Sequence, residues 1–417
     1  MKLSITILLL LLSASVLSCG QSLQDEQILF GTDVFVKEKL YLLEDRKVGL
    51  VINQTSRLSD GTSLLDTLIK LGMKVVNITS LFSLEHGIKG EFADGVSING
   101  QKYDSNNIPI YSLYGREKKP TQEMLKNVDL IIFNVQDIGA RFYTYISSMF
   151  YVLQASAENN ISVIILDRPN PIGGERVEGP ALESGFESFI GIAQLPIIHG
   201  MTTGELALMF SGENYIKTET APDLTVIKMK GWERNITWRE LNKEWIPTSP
   251  NIPTFETAFV YPGTCLIEGT NVSEGRGTNY PFITIGAPFI ITEELIKELN
   301  LTGLEGVEIT PTSFTPVKIE GKSTNPKFEN ELCYGIKISL TNHKEFNSVY
   351  FGIKLIYVLH KLYPHKFKFR EDYFDKLAGT DKIRLWIEEG KDPEFIISSW
   401  QDELIKFNKI RNKYLLY

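Results

Sequence analysis

The sequence predicts an α/β protein: a Rossmann-like parallel-sheet domain followed by a smaller α+β C-terminal domain. Three observations lead there. Between residues 47 and 166, short runs of strand length are apolar at nearly every position, as strands covered on both faces are. Stretches with helical spacing separate those runs, which implies crossover connections and parallel strands. The alternation fades after about residue 250, where Pro247, Pro250 and Pro253 punctuate the chain and residues 261–290 become rich in Gly, Thr and Pro.

Taken in order, Lys47 to Asn53 is the first strand. Ser63 to Leu71 has helical spacing, and Gly72 fits a helix stop. Val75 to Phe82 is the second strand and Ile108 to Leu113 the third; Thr121 to Asn127 is helical. Asp129 to Val135 is a strongly apolar fourth strand, Phe142 to Glu158 a helix, and Ser162 to Leu166 a fifth strand. A later apolar run, Leu195 to Ile198, ends in His199-Gly200-Met201-Thr202, with Thr202 and Glu205 spaced as a capping box. The domain boundary is expected near Ala258, which divides the chain into 45–258 and 259–417. The second part is expected to end on a helix from about Pro393 to Tyr414.

The N-terminal end has a different grammar. Lys2 precedes an apolar run with five consecutive leucines, followed by small residues and Val16-Leu17-Ser18-Cys19. This reads as a secretory signal over 1–18, too short for a comfortable membrane span. The last four residues look like a lipobox, so Cys19 is the expected lipidation site and 19–44 a lead segment. A protein exported across the inner membrane and lipid-anchored in the cell envelope follows. Of the remaining cysteines, Cys265 and Cys333 lack metal-site spacing and are expected to be buried small hydrophobes.

The net charge is −8, so no global field attracts nucleic acid, and an anionic substrate would need local arginines. The chain has no phosphate loop, no G-x-G-x-x-G fingerprint after the first strand, no G-x-S-x-G elbow and no H-E-x-x-H. No cofactor, metal or protein partner is expected.

In open α/β sheets, ligands bind beyond the carboxyl ends of the strands. Polar residues recur there: Asn53-Gln54-Thr55, then Glu85-His86-Gly87, then Gln136-Asp137 through Arg141, then Asp167-Arg168-Pro169-Asn170-Pro171, and His199. Several have ordinary explanations. A post-strand Asp such as Asp137 or Asp167 commonly caps the next helix, Glu205 completes a cap, and His199 suits a satisfied core position. Glu85 is harder to explain that way, lying between an apolar strand and a glycine. Glycoside hydrolysis needs one carboxylic acid to protonate the leaving oxygen and a second group at the oxocarbenium-like centre. Glu85, Asp137, Asp167, Glu268 and Glu274 supply candidates, and spacing does not choose the pair.

These motifs carry a resemblance. Leu84-Glu85-His86-Gly87 with Gly90 and Asp94-Gly95, Gln136 to Tyr145, Asp167 to Pro171, His199 to Thr202 and Glu268 to Thr278 resemble the NamZ-type exo-β-N-acetylmuramidases. That group is glycoside hydrolase family 171, formerly a domain of unknown function. Leu377 to Thr380 and Arg411 before Tyr414 to Tyr417 resemble it too, so the likeness runs from about residue 45 onward. The resemblance implies an active site in the cleft between the two domains and release of N-acetylmuramic acid from the non-reducing end of peptidoglycan fragments. It implies Glu85 as acid/base and Asp137 and Glu274 as residues of the cleft; these two are the further catalytic candidates, with the second catalytic group left open. Asn53, His86, Arg141, Tyr143, Asp167, Arg168, Asn170, His199, Glu268, Asn271 and Arg276 become substrate-binding candidates. The lactyl carboxylate of the substrate suits a bidentate arginine, with Arg141, Arg168 and Arg276 available. Asn279-Tyr280-Pro281-Phe282 departs from the more basic continuation of many members. The Glu85 turn is expected to face the Glu268–Thr278 loop. The alternative is a non-catalytic glycan-binding lipoprotein on the same scaffold.

Overall fold

The first strand, β1 (Lys47–Ile52), lies near the centre of a sheet, hydrogen-bonded to β2 (Asn77–Ser83) on one side and β5 (Leu130–Asn134) on the other, both parallel. The computed structural model describes residues 28–72, 75–90, 102–103, 107–300 and 302–417. The expected signal, Cys19 and the Asp94-Gly95 pair lie outside the described residues.

The sheet order is β3-β4-β2-β1-β5-β6-β9, with β3 (Lys102–Tyr103), β4 (Ile108–Ser112), β6 (Ser162–Leu166) and β9 (Leu224–Ile227) completing it. The strands from β4 to β9 are parallel, and β3 adds an antiparallel edge. Period-two alternation explains the uniformly apolar strands. Val51, Phe82, Ile131, Phe133, Val163 and Ile165 enter one core. Leu50, Ile52, Leu81, Leu130, Ile132 and Leu166 enter a separate one on the opposite face.

Helix α1 (Gly31–Glu38) covers the second face together with α2 (Leu64–Leu71). Ser63 caps α2 through Asp66 N–H, and Gly72 ends it at φ 77°. After the short α3 (Gln122–Leu125), the long α4 (Thr144–Glu158) crosses the first face almost wholly buried, and α5 (Thr203–Gly212) packs beside it. Two parts of the sheet differ from expectation. The run 195–198 supplies β8 (Pro196–Ile198), antiparallel to β7 (Glu178–Ala181) in a separate two-stranded ribbon. The parallel sheet instead gains β9, a short edge strand with exposed Thr225 and too little apolar length to stand out.

The C-terminal region holds a three-stranded antiparallel sheet, β10 (Thr284–Ala287), β12 (Cys333–Leu340) and β11 (Val307–Phe314), in that order. Helix α7 (Thr292–Asn300) packs against β11 and β12, and α8 (Ser348–Leu362) packs against α7. The expected boundary at Ala258 falls inside α6 (Phe255–Thr264), which packs on α8. A Cβ at Gly263 would sit 1.7 Å from Ser348 O, so only glycine permits that crossing. The first-face core continues across α6 into β10, β12 and α8 without a break.

Then follow α9 (Glu371–Ala378), α10 (Lys382–Glu388), α11 (Pro393–Ser398) and α12 (Gln401–Arg411). The single expected terminal helix is thus two. Ser398 and Ser399 turn their hydroxyls back onto the Phe395 and Ile396 carbonyls, which competes with helix continuation. Cys265 and Cys333 are both free and buried.

Candidate active site

At the carboxyl edge of the sheet the chain leaves β2 through Leu84, which is buried, into a tight turn closed by Gly87 N–H on Leu84 O at 3.0 Å. His86 and Gly87 both take left-handed conformations, at φ 71° and 76°. A non-glycine residue there is uncommon and costs energy, which marks the turn as held for a purpose. The turn presents Glu85, half-buried, with its Oε2 accepting from Thr144 Oγ1 at 2.7 Å. Thr144 opens α4, so the sheet edge and a rigid buried helix together fix the carboxyl group.

Glu85 and His86 line a cavity of about 530 Å³. Tyr143 stands beside them, its hydroxyl donating to Thr248 Oγ1 at 2.7 Å; Tyr145 donates to Thr248 O at 2.6 Å. Gln54 Nε2 holds the same segment through Pro247 O at 2.8 Å. These bonds pin the proline-punctuated strap, whose Ser249 and Ile252 form part of the wall. Burial holds both tyrosine hydroxyls in the protonated form.

The opposite wall comes from the C-terminal half. Tyr261 from α6, Glu268 from the 3₁₀ turn Cys265–Gly269, Arg276, Phe282 and Tyr373 from α9 reach the same cavity. Arg276 Nε meets Glu268 Oε1 at 2.7 Å and its guanidinium lies 5.1 Å from the Phe282 ring centre. The Glu268 charge raises the Tyr373 phenol, with burial acting in the same direction. Tyr114, Lys118, Phe189 and Ile190 form a further part of the lining, the Lys118 ammonium 4.7 Å above Phe189. The cavity therefore has a carboxylate from each half, Glu85 and Glu268, among largely aromatic walls. Sugar sites commonly pair an apolar ring-facing surface with a few convergent polar groups in this way.

The structure distributes the remaining sequence candidates differently. Asp137 is buried behind this lining, its Oδ2 accepting from Gly139 N–H at 2.7 Å and lying 3.9 Å from His199 Nε2. Burial raises the Asp137 carboxyl to about 7 and pushes the His199 imidazole down to about 3. His199 Nδ1 accepts from Met201 N–H, so the ring of a neutral His199 carries its proton on Nε2, toward Asp137. Glu274 also lies behind the wall, paired with Lys327 at 2.9 Å and 3.6 Å from Arg276 Nε. Asn53 is buried, accepting from Thr55 N–H and Oγ1.

Four candidates serve as structural joints. Arg141, 1% exposed, donates to the Pro180, Leu195 and Leu377 carbonyls, and burial pushes it down to about 9. A side chain at Gly379, which sits at φ 81°, would press on that guanidinium. Asp167 accepts from Gly204 N–H, Thr202 Oγ1 and Tyr417 Oη, at the amino end of α5; burial raises it to about 6. Asn170 bridges Met201 O and Ile172 N–H, and Asn271 bridges Lys366 O and Lys368 N–H. Glu205 completes its capping box with Thr202 and pairs with Arg234 at 2.7 Å. Arg168 belongs to a different cavity, lined also by Arg57 and Trp245.

Sequence reasoning missed Thr144 and the aromatic walls. Thr144 lay inside a quoted motif, one position past Tyr143. Phe282 ended the stretch that departs from the related pattern, and its φ of 63° shows an unusual backbone there. Tyr261, Phe189 and Tyr373 had no local signal, since they meet only through the tertiary fold.

Comparison with known proteins gives one consistent picture. Residues 48–256 match the N-terminal region, and 259–417 the C-terminal region, of the family described as exo-β-N-acetylmuramidase NamZ. The chain is 43% identical over 406 residues to the peptidoglycan β-N-acetylmuramidase NamZ of Bacillus subtilis (strain 168), covering 97% of this chain and 95% of the relative. Two crystal structures of DUF1343 family proteins from Bacteroides fragilis NCTC 9343 share its fold. One has a TM-score of 0.85 at 32% identity and the other 0.75 at 34% identity, each covering 94% of this chain and 99% of the other. Matched along both halves and in its three-dimensional fold, the chain belongs to the NamZ family of exo-β-N-acetylmuramidases.

Proposed function

We propose that this protein is a peptidoglycan exo-glycosidase that releases N-acetylmuramic acid from the non-reducing end of cell-wall glycan fragments. The observation that carries this reading is Glu85, braced by Thr144 in a largely aromatic cavity that Glu268 and Arg276 enter from the other half. The walls suit a sugar ring, and the polar groups suit the two ends of a glycosidic bond.

Glu85 serves as the acid/base. With Thr144 donating to Oε2, the transferable proton belongs on Oε1, which is left to meet the glycosidic oxygen. Breaking that bond builds positive charge at the anomeric carbon, which a nearby carboxylate stabilises. Asp137 and Glu274 support the site from behind, Asp137 through the Tyr143 region and Glu274 by holding Arg276. Of the three arginines considered for the lactyl carboxylate, Arg276 is the one that lines this cavity. The decisive test compares a chromogenic N-acetylmuramic acid glycoside with its N-acetylglucosamine analogue. Hydrolysis confined to the first supports the reading, and hydrolysis of neither overturns it.

We further propose that Cys19 is lipidated and that the protein works anchored in the bacterial cell envelope. The apolar run and small-residue ending before Cys19 support this. Among the described residues no helix is long and apolar enough to cross a membrane.

A further inference from the structure

A second cavity of about 520 Å³ opens at the carboxyl edge of the same sheet, beyond the ends of β1 and β6. From β1 the chain builds outward through β2 and β4, then returns to place β5 on the other side, so β1 and β5 flank the point where strand order reverses. Open α/β sheets bind ligands in the crevice such a reversal creates. The strap from Trp245 to Ile252 divides the two cavities: Trp245, Ile246 and Pro247 face this one, Ser249 and Ile252 the muramidase cleft.

The lining contains Arg168, only 3% exposed. Its Nε donates to Gln136 Oε1 at 3.0 Å and its Nη1 to Arg57 O at 2.8 Å, and its guanidinium rests 4.9 Å from the Phe30 ring centre. Nη2 has no hydrogen-bond partner among the described residues. A guanidinium so confined, with one edge unused on a cavity wall, is a prepared anion donor. Arg57 is similar: Nε and Nη1 hold the Gln54 and Gly61 carbonyls, leaving Nη2 without one. Lys243 stands opposite, donating to Ser59 O at 2.7 Å with further protons to give.

We propose that this cavity is a second saccharide site, taking a singly charged sugar carboxylate with the acid group on Arg168 and the ring against Trp245. Charge selects the class. Arg57, Arg168 and Lys243 share the lining with Asp60 and Glu244, and Asp33 and Asp167 also act on Arg168, so the site suits one carboxylate paired directly with a guanidinium and disfavours a phosphate dianion. Trp245, Trp238 and Phe30 supply the apolar surface that a sugar face requires. The choice of N-acetylmuramic acid as the probe rests on the function proposed above, since that compound is the sugar acid the cleft would release.

The test is calorimetric titration of the full chain with N-acetylmuramic acid, N-acetylglucosamine and inorganic phosphate. The sugar acid should show two binding components, and one should weaken about ten-fold or more in Arg57→Ala and in Arg168→Gln. Both variants should hydrolyse the chromogenic muramic acid glycoside at wild-type rates. If the buried Arg168→Gln substitution prevents folding, the half-buried Arg57 position still decides the matter. A wild-type titration with no component that weakens in Arg57→Ala overturns the proposal. So does a second component equally strong for N-acetylglucosamine or phosphate. Hydrolysis with a single component that neither variant weakens sinks this site alone. Absent hydrolysis with Arg57-dependent binding sinks the assigned activity and leaves the site.

Discussion

Thr144 Oγ1 donates to Glu85 Oε2 at 2.7 Å, across 59 residues of sequence. The bond joins the turn after β2 to the first residue of α4, and it selects which carboxyl oxygen is left for the substrate. Thr144→Val removes it while keeping the shape. Turnover should fall by roughly ten-fold, the scale of one hydrogen bond, and the alkaline limb of the pH–rate profile, where a proton donor is lost, should move. Thr144→Ser should restore both. Equal rates and identical profiles in all three proteins would remove Thr144 from the site.

Glu85→Gln keeps the reach of the side chain but carries no transferable proton. Turnover on natural muropeptide fragments should drop by roughly 10²–10⁴-fold with little change in KM, because the lost interaction belongs to the transition state. A substrate whose leaving group needs no protonation should be affected much less. Near-wild-type turnover on natural fragments would pass the role to another carboxylate, with Glu268 the first to examine.

Arg141 joins the two halves through three carbonyls, one of them at the carboxyl end of α9. Arg141→Met leaves those carbonyls buried without partners and should cost about 3 kcal/mol of stability. Denaturant titration with unchanged midpoint and slope would show that the clasp contributes nothing.

Asp137 has a folded value of about 7 against an ordinary 3.8, caused by burial. A carboxyl raised on folding favours the protonated form in the native state. Its contribution is therefore greatest below about pH 4, declines as pH rises, and is lost above about 7. Asp137→Asn does not titrate and can still accept from Gly139 N–H. Wild-type melting temperature measured relative to Asp137→Asn should thus fall steadily between those limits. A relative rise over the same interval would contradict the buried, proton-holding carboxyl.

Cys19→Ala should move the protein from the membrane fraction to the soluble one, since stable anchoring takes more than one acyl chain on the protein. Wild-type protein recovered entirely in soluble extracts would exclude the anchor.

Much of this architecture was legible in advance for a simple reason: strands buried on both faces leave an uninterrupted apolar signature, as Leu130 to Asn134 does. Strand β9 escaped because an edge strand needs no such signature. Glu85 was legible because a carboxylate between an apolar strand and a glycine serves no ordinary cap. Its neighbours Asp167, Asn170 and Arg141 carry the same outward pattern, polar groups after a strand, yet they hold loops and helix ends together. Local sequence does not separate those uses, because the distinguishing partners, such as Leu377 O and Tyr417 Oη, arrive from far along the chain.

The Asp167–Tyr417 contact also sets a schedule. Its partners lie 250 residues apart, and Arg411 likewise reaches back to Gly174 and Gly200. During synthesis the sheet can form its strand pairs early, but Asp167 lacks one of its donors until Tyr417 has emerged. The amino-terminal half is thus a template that its own downstream chain completes, and a nascent polypeptide halted before that point would leave Asp167, Gly174 and Gly200 short of these buried partners.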